Sequence, residues 1–487
     1  MMKQITSIVA ATVVLTGCTV GPDFRQPEAP QAKRYTMTAQ PEVLDDGATH
    51  QKLVTGAAVS AEWWQMFGSQ DLDGLIAKAL NESLSVKAAQ ARLREVQENM
   101  RSQIGAVLFP NFDARADSSR QKISGAAYGG PARIYNVHNA SVTASYGLDF
   151  FGTSRRYLES LRAQVDYERY QLQAARTTLA ANIVTAVVKE ASLRRQIAAT
   201  KQMIADVEEQ LVMVRGQYEA GAVTEADLLS QRTALAQVRA GLPSLEKELA
   251  QNRHLLNVLA GRLPGDTALP VFTLESLHLP GSLPLSLPSK LVRQRPDILA
   301  AESLLHQASA NVGVATANMY PSITLSGSYG SEASQISNLF AAGTTVWGAG
   351  AGLMQPLFHA GELRFKKRAA EAAFDQAAAN YRKVVLQSFQ DVADTLQALE
   401  SDSRSLLLQR DVEASAARTY HLVKAQFEAG AASNLALLDA SRQYQQARIE
   451  VAKAEATRLA DSAALVHALG GGWWNAPETA KKDETEN

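Results

Sequence analysis

Residues 217–222 read QYEAGA and residues 426–431 read QFEAGA, 209 positions apart. The match extends well past the phrase. Asp227-Leu228-Leu229 falls on Ala436-Leu437-Leu438, and Leu259-Ala260-Gly261 on Ala468-Leu469-Gly470, at the same offset. Upstream, Gly152 and Arg155 match Gly361 and Arg364 at that spacing, while Phe109-Pro110 matches Tyr320-Pro321 two positions wider. The chain is therefore a tandem duplication of a unit about 200 residues long, far beyond the ~20–50-residue periods of solenoids.

The repeated phrase sits at the end of a long helical pattern. No Pro occurs from Thr153 to Tyr218 or from Gly361 to Phe427. Leu193, Ile197, Thr200, Ile204, Val207, Leu211, Val214 and Tyr218 step alternately by 4 and 3, a heptad seam in which only Thr200 is polar. A rod of roughly 65 helical residues would reach about 100 Å and needs a partner along its whole length. Gly221 and Gly430 can take the left-handed conformation that stops a helix. Thr224 with Asp227, and Ser433 in the second copy, can cap the helices that return over about 225–261 and 434–470. Gly221-Ala222 and Gly430-Ala431 thus mark two helical hairpin tips. A tip can be a plain connector, but two copies of one short, small-residue surface point to docking.

Shorter helices are expected over 69–106 and 288–318. The stretches 18–60 and 262–288 are rich in Pro and read as extended straps or linkers. Four segments have a period of two. Phe112, Ala114 and Ala116 alternate with Asp113, Arg115 and Asp117. Ala140, Val142, Ala144, Tyr146 and Leu148 alternate with Asn139, Ser141, Thr143 and Ser145. In the second half Ile323, Leu325 and Tyr329 alternate with Ser322, Thr324, Ser326 and Ser328, and Trp347, Ala349, Ala351 and Leu353 alternate with Val346 and three glycines. Each half contributes two strands of about ten residues, the length of a transmembrane β-strand, with loops at about 119–136 and 331–343. Two half-buried hairpins of a soluble domain would share this period. Four strands cannot close a membrane barrel, so a barrel must be shared among chains.

The first residues, MMKQITSIVAATVVLTGC, combine Lys3, an apolar run and small residues before Cys18, the pattern of a secretory signal. Cys18 is the only cysteine and cannot form an intramolecular disulfide. After the signal no stretch approaches the ~20 apolar residues of a spanning helix. The 48 basic and 49 acidic residues leave a net charge of −1, which argues against a nucleic-acid partner. Neither paired histidines nor a spare thiolate suggest a metal, and no phosphate-binding or nucleophile-elbow motif suggests an enzyme.

Several segments together resemble a known family. LTGCTVGPDFRQP is similar to a bacterial lipobox followed by a strap, with Phe24 at a position more often Tyr. WWQMFGSQDLDGLIAKAL, RQRPDILAAE, MYPSITLSGSYG, QPLFHAGELR and ALGGGW follow in family order. The chain resembles the TolC-like outer-membrane factors of tripartite efflux pumps, in their NodT/OprM lipoprotein branch. The resemblance covers about 20–475. It implies a mainly α fold with transmembrane β: a homotrimer with four strands per chain in one twelve-stranded outer-membrane barrel, a long periplasmic α-helical barrel beneath it, and an equatorial collar.

The implied domains are a signal peptide at 1–17, a lipidated strap at 18–60, a first repeat at 61–265, an equatorial linker at 266–287, a second repeat at 288–475 and a polar tail at 476–487. Cys18 would carry N-acyl (palmitate) and S-diacylglycerol lipid, and no other cofactor is expected. The implied function is the passive exit duct for an inner-membrane transporter of RND type and its periplasmic adaptor, which would meet Gly221, Ala222, Gly430 and Ala431. By motif, SNLALLDASRQ carries the family's inner aperture onto Asp439 and Arg442, with Leu435 as an apolar constriction and Asp227 as a charged counterpart after the first tip. The plainer reading of Asp439 and Arg442, given less weight than the aperture, is a solvated i,i+3 pair. Two other readings are a lipid-anchored coiled-coil scaffold without a pore and the duct of a type I-like secretion system. The four alternating segments favour a duct over a scaffold.

Overall fold

The computed structural model describes residues 19–32, 34–127 and 129–476. Cys18, the signal peptide and the tail from residue 477 lie outside the described residues. In chain order the elements are β1 (Val43–Asp45), β2 (His50–Thr55), α1 (Gln70–Glu82), α2 (Leu84–Leu108), β3 (Asn111–Ile123), β4 (Arg133–Leu148), α3 (Thr153–Glu219), α4 (Glu225–Leu259), β5 (Ser282–Leu285), α5 (Pro288–Leu291), α6 (Pro296–Ala317), β6 (Ser322–Ala333), β7 (Thr345–Met354), α7 (Glu362–Glu428) and α8 (Asn434–Ala468). The duplication is visible in helix lengths. α3 and α7 each have 67 residues, and α4 and α8 each have 35.

The chain divides into two compact units. The first takes the chain through Pro27, Arg92–Arg169 and Ala300–Arg382; the second takes Glu28–Ala91, Tyr170–Leu299 and Lys383 onward. Two helices expected to be continuous are broken. Ser83 separates α1 from α2, and the run over 288–318 splits into α5 and α6, the latter opening with Pro296, which lacks the N–H an interior position must donate.

The first unit holds an antiparallel sheet in the order β3-β4-β6-β7. Its register is continuous and keeps one parity across all four strands. Ala114 lies opposite Val142, Val142 opposite Tyr329, and Tyr329 opposite Trp347. The rows Phe112–Ala144–Gly327–Ala349, Tyr146–Leu325–Ala351 and Leu148–Ile323–Leu353 share that face. The other face carries Asp113–Thr143–Ser328–Gly348 and Asp117–Asn139–Glu332. Directly paired residues point to the same side of a sheet, so the alternation of each strand adds up to one apolar and one polar surface. Phe112, Tyr329, Leu353 and Trp347 are exposed in the single chain, Trp347 to 77%. The apolar rows run from Leu148 to Ala140, about 27 Å along a strand, or roughly 20 Å of depth at the tilt of a membrane barrel. β3, β4 and β6 are longer than ten residues, so the connecting loops shrink to 124–132 and 334–344.

The N-terminal strap is seated on the first unit by close packing. A Cβ at Gly21 (φ +95°) would lie 2.5 Å from Gly313 Cα, so only glycines allow this approach. Arg156, nearly buried, donates to the Val20 carbonyl at 3.3 Å and to Asp23 at 2.6 Å. Phe24 stacks on His306 at 4.3 Å, and His306 in turn meets Glu159 at 2.9 Å.

In the second unit the Pro-rich straps are paired strands. β1 runs antiparallel to β2, and β2 pairs parallel with β5, Lys52 opposite Ser282 through Thr55 opposite Leu285. Buried polar groups pin these strands to the helices. The Asp46 carboxylate, 1% exposed, accepts from Ala48, Thr49 and Arg410 and pairs with buried Arg458 at 3.4 Å. Burial lowers the Arg458 pKa, partly countered by Asp46. Asp402 on α7 faces Asp461 on α8; burial, then a shared hydrogen bond and the Asp461 charge, push its pKa up to about 7, with Arg458 opposing.

Because the folded-state value of Asp402 is raised, its contribution to stability is complete below the ordinary carboxylate pKa and is lost as pH rises through about 7. Thermal unfolding of the full chain should therefore be shallower with pH in Asp402→Asn than in the native protein between pH 5 and 8, with the variant gaining most above pH 7. Parallel profiles would show that the two carboxyls do not share a proton.

Candidate functional site

The two hairpin tips are built alike because their sequences are. Gly221 has φ +73° and Gly430 φ +74°. In each, the glycine N–H bonds the third carbonyl back, Tyr218 at 2.9 Å or Phe427 at 3.0 Å. The next residue closes the wider loop, Ala222 to Gln217 at 2.8 Å and Ala431 to Gln426 at 2.7 Å. This doubled bond is the glycine C-cap that ends a helix while satisfying its last carbonyls. Open space surrounds both glycines. The tips' surface is thus backbone and small side chains.

The returning helices start from side-chain caps. The Thr224 hydroxyl accepts from Asp227 N at 3.3 Å, and Asp227 Oδ2 accepts from Thr224 N at 2.9 Å and its hydroxyl at 2.6 Å. These bonds hold the Asp227 pKa below its usual value. Ser433 caps α8 by accepting from Ala436 N at 3.2 Å, and the second copy has Ala436 where the first has Asp227. The first tip therefore carries a charge that the second lacks.

Asp439 and Arg442 are brought together one turn into α8. Arg442 donates to Asp439 Oδ1 at 3.0 Å, and Gln443 donates to Oδ2 at 2.6 Å. Both charged side chains are largely exposed, and such a pair contributes only about 0.2–1 kcal/mol within one chain. Leu435, 69% exposed, precedes Asp439 on the same helix. Asp227 is engaged by Thr224 on the other returning helix. The aperture candidates thus form one cluster on α8 and a separate cap on α4.

A polar contact that the alternation of 4 and 3 does not reveal joins the hairpins. Gln231 on α4 is fully buried; its amide donates to the Val207 carbonyl at 3.3 Å and to Gln210 at 3.2 Å, and accepts from Asn434 at 3.4 Å. Farther along, buried Gln445 donates to Asp206 at 3.2 Å. Apolar packing continues beside them. Tyr420, Leu437 and Ala440 form a buried cluster with Val423, Phe427 and Tyr444, and the rings of Tyr420 and Tyr444 stack at 5.7 Å. The seam of α3 is buried at Leu193, Ile197, Val207 and Val214, and Thr200 satisfies its hydroxyl on the Gln196 carbonyl at 2.9 Å. Tyr218 at the end of the seam is exposed.

A duplicated chain with twin helical hairpins and a two-faced four-stranded sheet matches one sequence family. The profile of the outer membrane efflux protein family matches residues 75–262 and again 287–471. The chain belongs to the outer membrane efflux protein family. Relatives include the pyoverdine export outer membrane protein OpmQ of Pseudomonas putida, 32% identical over 84% of this chain and 88% of the relative. The toluene efflux pump outer membrane protein TtgC of Pseudomonas putida is 30% identical over 97% of this chain and 96% of the relative. In fold, the chain is similar to the outer-membrane channel OprN, with a TM-score of 0.85 at 26% identity over 94% of this chain and all of that one. It is also similar to the MtrE outer membrane channel of Neisseria gonorrhoeae, with a TM-score of 0.81 at 26% identity over 94% and 99%. Both of these neighbours in fold are outer-membrane channels. This efflux protein is an outer-membrane transport component of an efflux pump rather than an enzyme.

Replacing Gln231 by Leu would leave Gln210 and Asn434 without their partner, a cost of about 1–3 kcal/mol. Hydrogen exchange of the full-length Gln231→Leu variant should rise in segments 217–231 and 426–438 and stay unchanged in the sheet. Unchanged exchange at the start of α8 would show that the amide does not couple the hairpins.

Proposed function

We propose that three copies of this chain close a twelve-stranded barrel through the outer membrane and continue it as a periplasmic α-helical tunnel ringed by an equatorial collar. The observation that carries this reading is the open sheet of the first unit. Its apolar face suits lipid and its polar face suits a water-filled lumen, while β3 and β7 keep unpaired edges that hydrocarbon does not tolerate. A scaffold without a pore would have no use for such a surface.

In this reading the duct is passive. An inner-membrane transporter, of the RND type in pumps of this architecture, supplies energy, and a periplasmic adaptor docks on the tips at Gly221, Ala222, Gly430 and Ala431. Lipid on Cys18 adds a membrane anchor, and the strap that follows in the chain is held by Arg156 and Gly21. Relatives are named for cargoes as different as pyoverdine and toluene. We infer that cargo choice rests with the transporter and that the duct conducts what it is given.

The aperture is assigned to Asp439, Arg442 and Leu435, with Asp227 near the first tip. Threefold symmetry would turn Asp439 into a ring of three carboxylates around one axis, each offset by its own Arg442. The pair is weak inside one chain, so its effect would arise from that ring. Single-channel recordings in planar bilayers test this assignment. The native protein should show low, flickering conductance, and Asp439→Ala with Arg442→Ala should raise it severalfold. Equal, sizeable conductance in both would remove the gate from these residues, and no conductance from either folded protein would remove the duct.

A further inference from the structure

The apolar face of the sheet does not end at its last apolar row. On β3, Phe112, Ala114 and Ala116 are followed with unchanged parity by Ser118, Arg120 and Lys122. Their partners on β4 are His138, Asn136 and Ile134. β6 stops at Ala333, opposite His138, and β7 starts at Thr345. The rows of Arg120 and Lys122 therefore stand on a two-stranded overhang at the end of the sheet remote from α2 and α3.

Charge is sorted between the two sides of this sheet. All strand carboxylates, Asp113, Asp117 and Glu332, share the polar face, with Arg115 and Arg133 among them. The apolar face carries no carboxylate, only Arg120, Lys122 and His138. Arg115 is bonded to Asp117, and His138 to the Ser118 hydroxyl at 2.9 Å. Arg120 and Lys122 are exposed and enter no ion pair among the described residues. Two cations thus stand unneutralised on the side that meets lipid.

Their height matches a membrane surface. Arg120 is four residues past Ala116 and Lys122 six, about 10 and 15 Å above the last apolar row once strand tilt is applied. Long apolar stems let both side chains bend down while their charges stay in the polar zone. The headgroup layer begins within several ångströms of the hydrocarbon edge. We propose that Arg120 and Lys122 form a docking surface for phosphate-bearing lipid headgroups of the outer leaflet, so that each protomer of the barrel holds a phosphorylated lipid at its rim. The proposal rests on the reading above that this face of the sheet meets lipid. Guanidinium and ammonium groups on adjacent rows can share one phosphate, the former as a fork and the latter as a point charge.

The test uses the full-length protein in detergent, titrated with lipid A bearing two phosphates and followed by native mass spectrometry. Arg120→Ala with Lys122→Ala should weaken binding on the order of ten- to thirtyfold, the effect of two surface cations. The exchange Arg120→Lys with Lys122→Arg should bind as the native protein does, and Arg133→Ala should also leave binding intact, because it removes a charge from the opposite face. Dephosphorylated lipid A and millimolar inorganic phosphate should neither bind tightly nor compete. Native-like affinity in the double alanine variant, equal loss in Arg133→Ala, or equal binding of the dephosphorylated lipid would overturn the proposal, as would full competition by free phosphate. Should the double variant not fold, the two single alanine variants, each several-fold weaker, replace it. Quenching of Trp347 by brominated lipid in vesicles, lost in Trp347→Phe, reports the underlying face on its own. A quenched Trp347 with no phosphate-dependent binding rejects the headgroup contact alone, whereas an unquenched Trp347 rejects the barrel-face reading as well.

Discussion

A strand edge in hydrocarbon leaves a row of N–H and C=O groups with nothing to bond, at several kilocalories per mole for each group. The sheet β3-β4-β6-β7 has two such edges, and its apolar face carries Phe112, Tyr329, Trp347 and Leu353 in the open. Neither problem has a solution inside one chain. In the proposed trimer both are solved when β3 of one copy meets β7 of the next.

Gene duplication supplies the helices in pairs, but the copies are not equivalent at their tips. The glycine caps at Gly221 and Gly430 agree to within a degree of φ, whereas the capping box of Thr224 and Asp227 has only Ser433 as its counterpart. One tip therefore has a fixed carboxylate and the other a bare serine cap, followed a turn later by the Asp439–Arg442 pair. Buried Gln231 and half-buried Asn434 tie the two together. A change at one hairpin would be felt at the other through this half-buried contact, whose Gln231 end is fully buried and costs more to leave unpaired than the exposed pair beside it.

Much of this was legible in the chain. The period of two in the four strands gave both faces of the sheet, since the register only had to bring like rows together, as Val142 opposite Tyr329 does. The heptad seam and the glycine tips set the long hairpins. Other features left no local signal. The pairing of β2 with β5 joins segments more than 200 residues apart whose Pro content suggested only extended straps. Gln231 reads as an ordinary helix residue until a second helix covers it. The break at Ser83 lacks a proline to announce it. Arg120 and Lys122 looked like loop charges because β3 and β4 run farther than the span of a membrane requires.

A duct exists only if the sheet closes between chains. Cysteine cross-linking in the native membrane tests this most directly, with Ala114→Cys on β3 combined in turn with single cysteines along Thr345–Leu353 of β7. A shared barrel should give disulfides between chains at one narrow register and a covalent species of three chains. Folded protein that forms no such disulfide at any register would contradict a shared barrel.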